Sequence, residues 1–185
     1  SCKLNITDAS DASVSNESVN FHIRPFINVT SPTSGQNIKV ATDYTNLIQW
    51  AITGNETISF IDIVYDTANG TGGYPGVIAR RIAVTQPQGN YSWLDVPNDV
   101  TANARIKVVD NSTGTPANNT VYGVSAKFNI IGNLVIIAPS AGQNVTVLSN
   151  TTLIQWNATG VNSNCYINYT LDGSSWSALK TLYIP

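Results

Sequence analysis

Apolar residues recur at every second position in short runs along the chain. Ile61, Ile63 and Tyr65 are separated by Asp62 and Val64, Ile106 and Val108 alternate with Arg105 and Lys107, and Tyr166 and Asn168 separate Cys165, Ile167 and Tyr169. A period of two places alternate side chains on opposite faces of an extended backbone, so each run predicts a strand with one face toward a core. No segment carries the long apolar stripe of an amphipathic helix, and helix is expected to be absent or confined to a single short turn. Gly, Pro, Asn and Asp interrupt the runs at short intervals, in DTANGTGGYPG at 66–76, DVPND at 95–99 and at Asp172-Gly173. Short strands punctuated in this way point to an all-β sandwich.

The pattern repeats itself. SPTSGQNIKV at 31–40 returns as APSAGQNVTV at 138–147, and FHI at 21–23 as FNI at 128–130, both displaced by 107 residues. TNLIQWAITG at 45–54 returns as TTLIQWNATG at 151–160 at an offset of 106, and a further two-residue shortening places Ile61, Ile63 and Tyr65 on Cys165, Ile167 and Tyr169. KLNITDAS at 3–10 is similar to RIKVVDNS at 105–112. A period of this length is the size of one immunoglobulin-like sandwich and predicts a tandem array. Residues 1–24 are expected to supply the last strands of a preceding or neighbouring unit, 25–131 one complete unit, and 132–185 the first half of a further one. Neither partial unit can close a core alone, and each would leave an unpaired strand edge.

The order of these motifs resembles a known family. F-x-I, S-P-x-x-G, L-I-Q-W, a strand ending in Tyr, G-N-Y-S-W-x-D-V-P, I-K-V-x-D and a closing K-F-N-I look like the immunoglobulin-like repeat of fungal cell-wall assembly proteins. They look still more like its tandem copies in giant bacterial cell-surface proteins, which carry runs such as NITDASDASVSNESVNFHI at 5–23. The resemblance implies an extracellular β-sandwich with a structural or adhesive role and brings no catalytic residues with it. Within that frame Cys165 takes the inward position of Ile61, and Cys2 takes that of Ala104 on the face shared with Leu4 and Ile6. The third and sixth strands of such a sandwich lie side by side. A Cys2–Cys165 disulfide between adjacent repeats or subunits is therefore an expectation, met either by a neighbouring copy or by continuation of one long chain.

Composition narrows the chemistry. Nine Lys+Arg against eleven Asp+Glu leave a net charge of −2, which offers no basic surface for a phosphate backbone, so no nucleic-acid partner is expected. The longest apolar run, 134–139, falls far short of the roughly 20 residues a spanning helix needs, so no membrane insertion is expected in this segment. No charged, apolar, small-residue leader opens the sequence, and an exported form would be a mature piece. With one histidine (His22), two cysteines and two glutamates (Glu17, Glu56), acid-base catalysis has little to work with. No G-x-S-x-G elbow accompanies His22, and Asp62 with Asp66 reads as a surface carboxylate pair rather than a glycosidase dyad. The runs 66–73 and 8–11 hold calcium-friendly oxygens without a recognisable ligand spacing. No enzyme activity, catalytic residue, metal or cofactor is expected.

Asn, Ser and Thr are abundant instead, at 22, 17 and 20 residues. At that composition roughly four N-x-[ST] triplets would arise by chance. Twelve occur, at Asn5, Asn16, Asn28, Asn55, Asn69, Asn90, Asn111, Asn118, Asn144, Asn150, Asn157 and Asn168, none with proline in the middle. The excess points to covalent N-linked glycans on an extracellular or cell-surface protein. Trp50, Trp93 and Trp156 are expected in cores, whereas Trp176 in LDGSSWSAL is open between packing and sugar contact. The expected function is structural: a glycosylated repeat or subunit of an extracellular filament or surface fibre, stacked head to tail with copies of itself. The alternative is an adhesin or carbohydrate-binding module that uses Trp176, Tyr74 or Tyr91.

Overall fold

A computed structural model describes residues 1–113, 120–145, 154–161 and 163–182. The described residues form strands and turns with no helix. The architecture is an immunoglobulin-like β-sandwich, and its buried apolar cluster runs from Ile27 to Ile130.

One sheet contains β3 (Phe26–Ser31), β5 (Tyr44–Thr53) and β8 (Gln88–Trp93), in the order β3-β5-β8. The facing sheet has the order β4-β11-β9-β6-β7, from β4 (Asn37–Lys39), β11 (Phe128–Ile131), β9 (Thr101–Asp110), β6 (Phe60–Asp66) and β7 (Gly76–Ala83). A short β10 (Tyr122–Val124) pairs β9 beside β11, so two successive pieces line one edge of β9. All pairings are antiparallel except β11 with β4.

Alternation explains the core. Ile27 and Val29 on β3 and Ile48, Trp50 and Ile52 on β5 are buried, as are Ile106 and Val108 on β9 and Phe128 and Ile130 on β11. These inner faces interdigitate between the sheets. Trp93 joins them, its ring centroid 5.2 Å from Tyr65 and 6.3 Å from Phe128, the latter edge-on at 85°. Tyr65 donates its hydroxyl to Asp99 Oδ2 at 2.5 Å. Burial, then that hydrogen bond and the adjacent charge, push the phenol above its ordinary range.

Strand β6 departs from simple alternation, because both of its faces are covered from Ile61 to Asp66. This corrects the expectation of a surface carboxylate pair. Asp62 is buried and accepts hydrogen bonds from Arg80 Nη1 (2.6 Å), the Arg81 N–H (2.7 Å) and Asn111 Nδ2 (2.8 Å). Asp66 is buried too, and one carboxylate oxygen caps the following turn by accepting from the N–H groups of Gly70 (2.6 Å) and Gly72 (3.2 Å). Each carboxylate is satisfied separately by its own donors.

Three two-stranded sheets lie outside this sandwich: β1 (Asn5–Thr7) with β2 (Ser15–Glu17), β12 (Asn133–Ala138) with β13 (Gln155–Thr159), and β14 (Cys165–Tyr169) with β15 (Ser177–Leu182). The β1–β2 segment joins one end of the sandwich, where Pro25 lies against Gly54 and Arg24 pairs with Glu56 at 3.6 Å. The later strands leave from the other end, where Gly160 lies against Asn98 and Val100 and Asn133 Nδ2 donates to Thr42 Oγ1 at 3.2 Å.

Candidate interaction surface

The N-terminal segment reproduces the local geometry of β9 to β11. Asn5, Ile6 and Thr7 pair with Glu17, Asn16 and Ser15, as Lys107, Val108 and Val109 pair with Val124, Gly123 and Tyr122. Cys2 bridges Phe21 as Ala104 pairs with Phe128. Ser18 Oγ accepts from the Leu4 N–H and donates to the Val19 carbonyl, and Ser125 Oγ makes the same two bonds with Ile106 and Ala126. Asp8 turns onto the N–H and hydroxyl of Ser10 as Asp110 turns onto those of Ser112.

The C-terminal strands match β3, β5, β6 and β7 in the same way. Asn133, Leu134, Val135 and Ile136 pair with Thr159, Ala158, Asn157 and Trp156, and Phe26, Ile27, Asn28 and Val29 pair with Thr53, Ile52, Ala51 and Trp50. Both ladders break at the same place, before Ala138 and before Ser31. Cys165 pairs with Leu182 as Ile61 pairs with Ile82.

Burial separates these copies from the sandwich they match. Val108 is fully buried and Ile6 is 78% exposed; Val29 is 7% exposed and Ile136 is 71% exposed. Leu4, Ile23, Leu134 and Ile154 are exposed as well, while their counterparts Ile106, Ile130, Ile27 and Ile48 show no exposure. Leu134, Ile136, Ile154, Trp156, Cys165 and Ile167 line an apolar cleft of about 230 Å³. Beside it, among the described residues, β14 pairs only β15, whereas β6 is paired on both edges. The described residues therefore present two open apolar faces, one at each end, each with a strand edge that no other described strand pairs.

Both cysteines are free and half-buried. Their counterparts Ile61 and Ala104 lie on adjacent strands of one sheet, yet they do not face each other: Ile61 pairs with Asp110, and Ala104 pairs with Phe128 on the opposite edge. Asp110 and Ala104 are separated by six positions along β9, about 20 Å at strand rise. Cα atoms must approach within about 7 Å to be bridged. Carried onto the matching places, that register would set Cys2 and Cys165 apart, because sharing a sheet does not supply sharing a register.

Asn5, Asn16, Asn28, Asn55, Asn69, Asn90, Asn144, Asn157 and Asn168 are exposed, and Asn118 and Asn150 lie outside the described residues. Asn111 stands apart among the sequons: it is buried, and its side-chain nitrogen donates to Asp62. Trp50 and Trp93 are buried, Trp156 is half-buried and Trp176 is 65% exposed.

His22 is exposed. Asp8 and Asp11 spend carboxylate oxygens on Ser10 and Ser13, and the hydroxyl and N–H of each serine hold its partner acid below the ordinary carboxylate range. Among the described residues no group of three or more His, Cys, Asp or Glu side chains gathers, and no helix is long and apolar enough to cross a membrane. The arrangement offers association surfaces, with no convergent set of reactive groups among the described residues.

No known family profile and no curated protein matches the chain. A solved structure of fibronectin(III)-like modules of CbhA from Clostridium thermocellum is similar at 14% identity and a TM-score of 0.29, covering 86% of this chain and 74% of that one.

Proposed function

We propose that the chain is a structural segment of an N-glycosylated extracellular filament or surface fibre built from stacked immunoglobulin-like sandwiches. In this reading 25–131 is a closed unit, 1–24 contributes the last strands of one neighbour and 132–185 the first strands of another. The observation that carries it is the pair of open faces, which expose at opposite ends the residue types that fill the closed core. Burying such faces removes apolar area from water at about 25 cal/mol per Å² and satisfies free strand edges. Contacts made head to tail between unlike ends extend into a fibre when the rotation from copy to copy does not close a ring. Exposed sequon asparagines on the closed unit, including Asn28, Asn55 and Asn90, would carry glycans away from its core.

Sedimentation and electron microscopy of the full chain test this reading. Concentration-dependent linear assembly is expected; a species that stays monomeric throughout the accessible range would overturn it. Mass mapping with and without glycan removal is expected to find sugar on several exposed asparagines and none on Asn111.

A second reading, a carbohydrate-binding or adhesive module, draws on Trp176, whose ring stands 65% exposed at a hairpin. It requires a saturable sugar-dependent rise in melting temperature that Trp176→Ala abolishes.

A further inference from the structure

We propose that the free edge of β14 receives the hairpin formed by residues 2–23 of a second copy, in the register that β9 adopts on β6. This rests on the stacking read above and specifies its interface. In the closed unit Ile61, Ile63 and Tyr65 face Asp110, Val108 and Ile106. Carrying those pairs across the two matching segments sets Cys165 opposite Asp8, Ile167 opposite Ile6 and Tyr169 opposite Leu4 of the second copy.

The hairpin must come from another molecule. It is joined to β3 by only Arg24 and Pro25, and β12 follows β11 after Gly132 alone. The closed unit stands between, its ten-residue strands spanning about 33 Å. The chain's own hairpin has no slack to cross that distance.

Docking in this register joins the two halves, with the place of β8 (Gln88–Trp93) left without a counterpart in either. Ile6, Leu4, Ile154 and Ile167 take positions whose counterparts are buried, and β14 gains a partner on its empty edge. It also assigns the cysteines: Cys165 takes the core place of Ile61 and Cys2 that of Ala104, well apart, so assembly buries two reduced thiols and forms no bond between them. One position limits the fit. Asn16 stands where Gly123 lets β10 approach the Ile27 carbonyl without a side chain, so β2 must sit farther from β12 than β10 does from β3. A glycan on Asn16 would block the seat, and Asn16→Gly is expected to tighten association several-fold.

Cysteine cross-linking of the full chain tests the register. In a background carrying Cys2→Ser and Cys165→Ser, the double variant Asn5→Cys with Asn168→Cys places thiols at the outward positions that correspond to the Lys107–Val64 pair. Both asparagines are exposed in the free chain, so folding of the separate copy is not at stake. Mild oxidation is expected to convert most chains into a ladder on a non-reducing gel, with 5–168 linkages between copies identified by peptide mass. Ile6→Cys with Ile167→Cys is expected to link in the same way, and the offset pair Ile6→Cys with Tyr169→Cys is expected to link at least tenfold less.

Assembly by sedimentation without the 5–168 and 6–167 linkages would overturn this register and leave the stacking reading standing. A Cys2–Cys165 disulfide in the unsubstituted assembly would overturn it too. Absence of any assembly would overturn both.

Discussion

The closed sandwich and the C-terminal half carry the same strands in the same register, and one buries its apolar face while the other exposes it. Val29 and Ile136 each sit opposite a tryptophan, Trp50 and Trp156, with the ladder breaking one step later in both. Pairing between neighbouring strands is therefore fixed by local alternation and by where the ladder shifts. Burial is a different matter, because it needs the opposite sheet. Strands β3, β5 and β8 provide that sheet for β6 and β9 covers its edge, whereas β14 faces β12 and β13 across an open cleft and, among the described residues, pairs only β15. Equivalent residues thus carry unequal energetic weight.

The sharpest way to break the comparison is to truncate matched residues. Phe128→Ala is expected to cost about 3–5 kcal/mol, since it removes a fully buried ring packed against Trp93. Phe21→Ala, at the matching half-buried position, is expected to cost well under half as much in the dispersed chain, and more once assembly occurs. Denaturant unfolding at low and high protein concentration measures both. Gly123→Ala comes next. Its Cβ would strike the Ile27 carbonyl oxygen, and forcing the strands apart is expected to cost roughly 1–3 kcal/mol, read in the same titration.

Asp62 sharpens the contrast, because its counterpart in the half unit is the exposed Tyr166. Burial alone would raise the Asp62 carboxyl, but hydrogen bonds from the Arg81 N–H, Asn111 and Arg80, with the Arg80 charge, outweigh it and hold the acid below 3.8. A folded value below the unfolded one contributes stability that is complete above about pH 4 and lost as pH falls through the folded value. Asp62→Asn is expected to flatten that acid limb and to cost on the order of 1–3 kcal/mol at neutral pH by leaving buried donors poorly matched. Melting curves from pH 2 to 7 would show it; an unchanged acid limb would remove Asp62 from the account. The smallest effect is expected from Glu56→Gln. Its pair with Arg24 is half-exposed at 3.6 Å, and exposed pairs contribute under about 1 kcal/mol.

Much of this was legible in the residues. Alternation at Ile61, Ile63 and Tyr65 and at Ile106 and Val108 predicted strands that form with those side chains inward. The recurrence of LIQW predicted that Trp50 and Trp156 would share a setting, and they pair with Val29 and Ile136 at corresponding steps. The burial of Asp62 and Asp66 was not legible, because strand period says which face a side chain takes and nothing about what lies over that face. Arg80 and the turn at Gly70 and Gly72 come from chain positions set by tertiary folding.

The sequence by itself determined the strand faces, the turns and the correspondence between segments, since each depends on neighbours a few positions away or on direct repetition. The tertiary structure decided which faces are covered, because coverage requires a second sheet brought from far along the chain. It also decided that Ala104 and Ile61, the residues that Cys2 and Cys165 match, lie apart along a strand pair. Alternation is blind to register, and only the ladder of Ile61 with Asp110 and Ala104 with Phe128 fixes that separation.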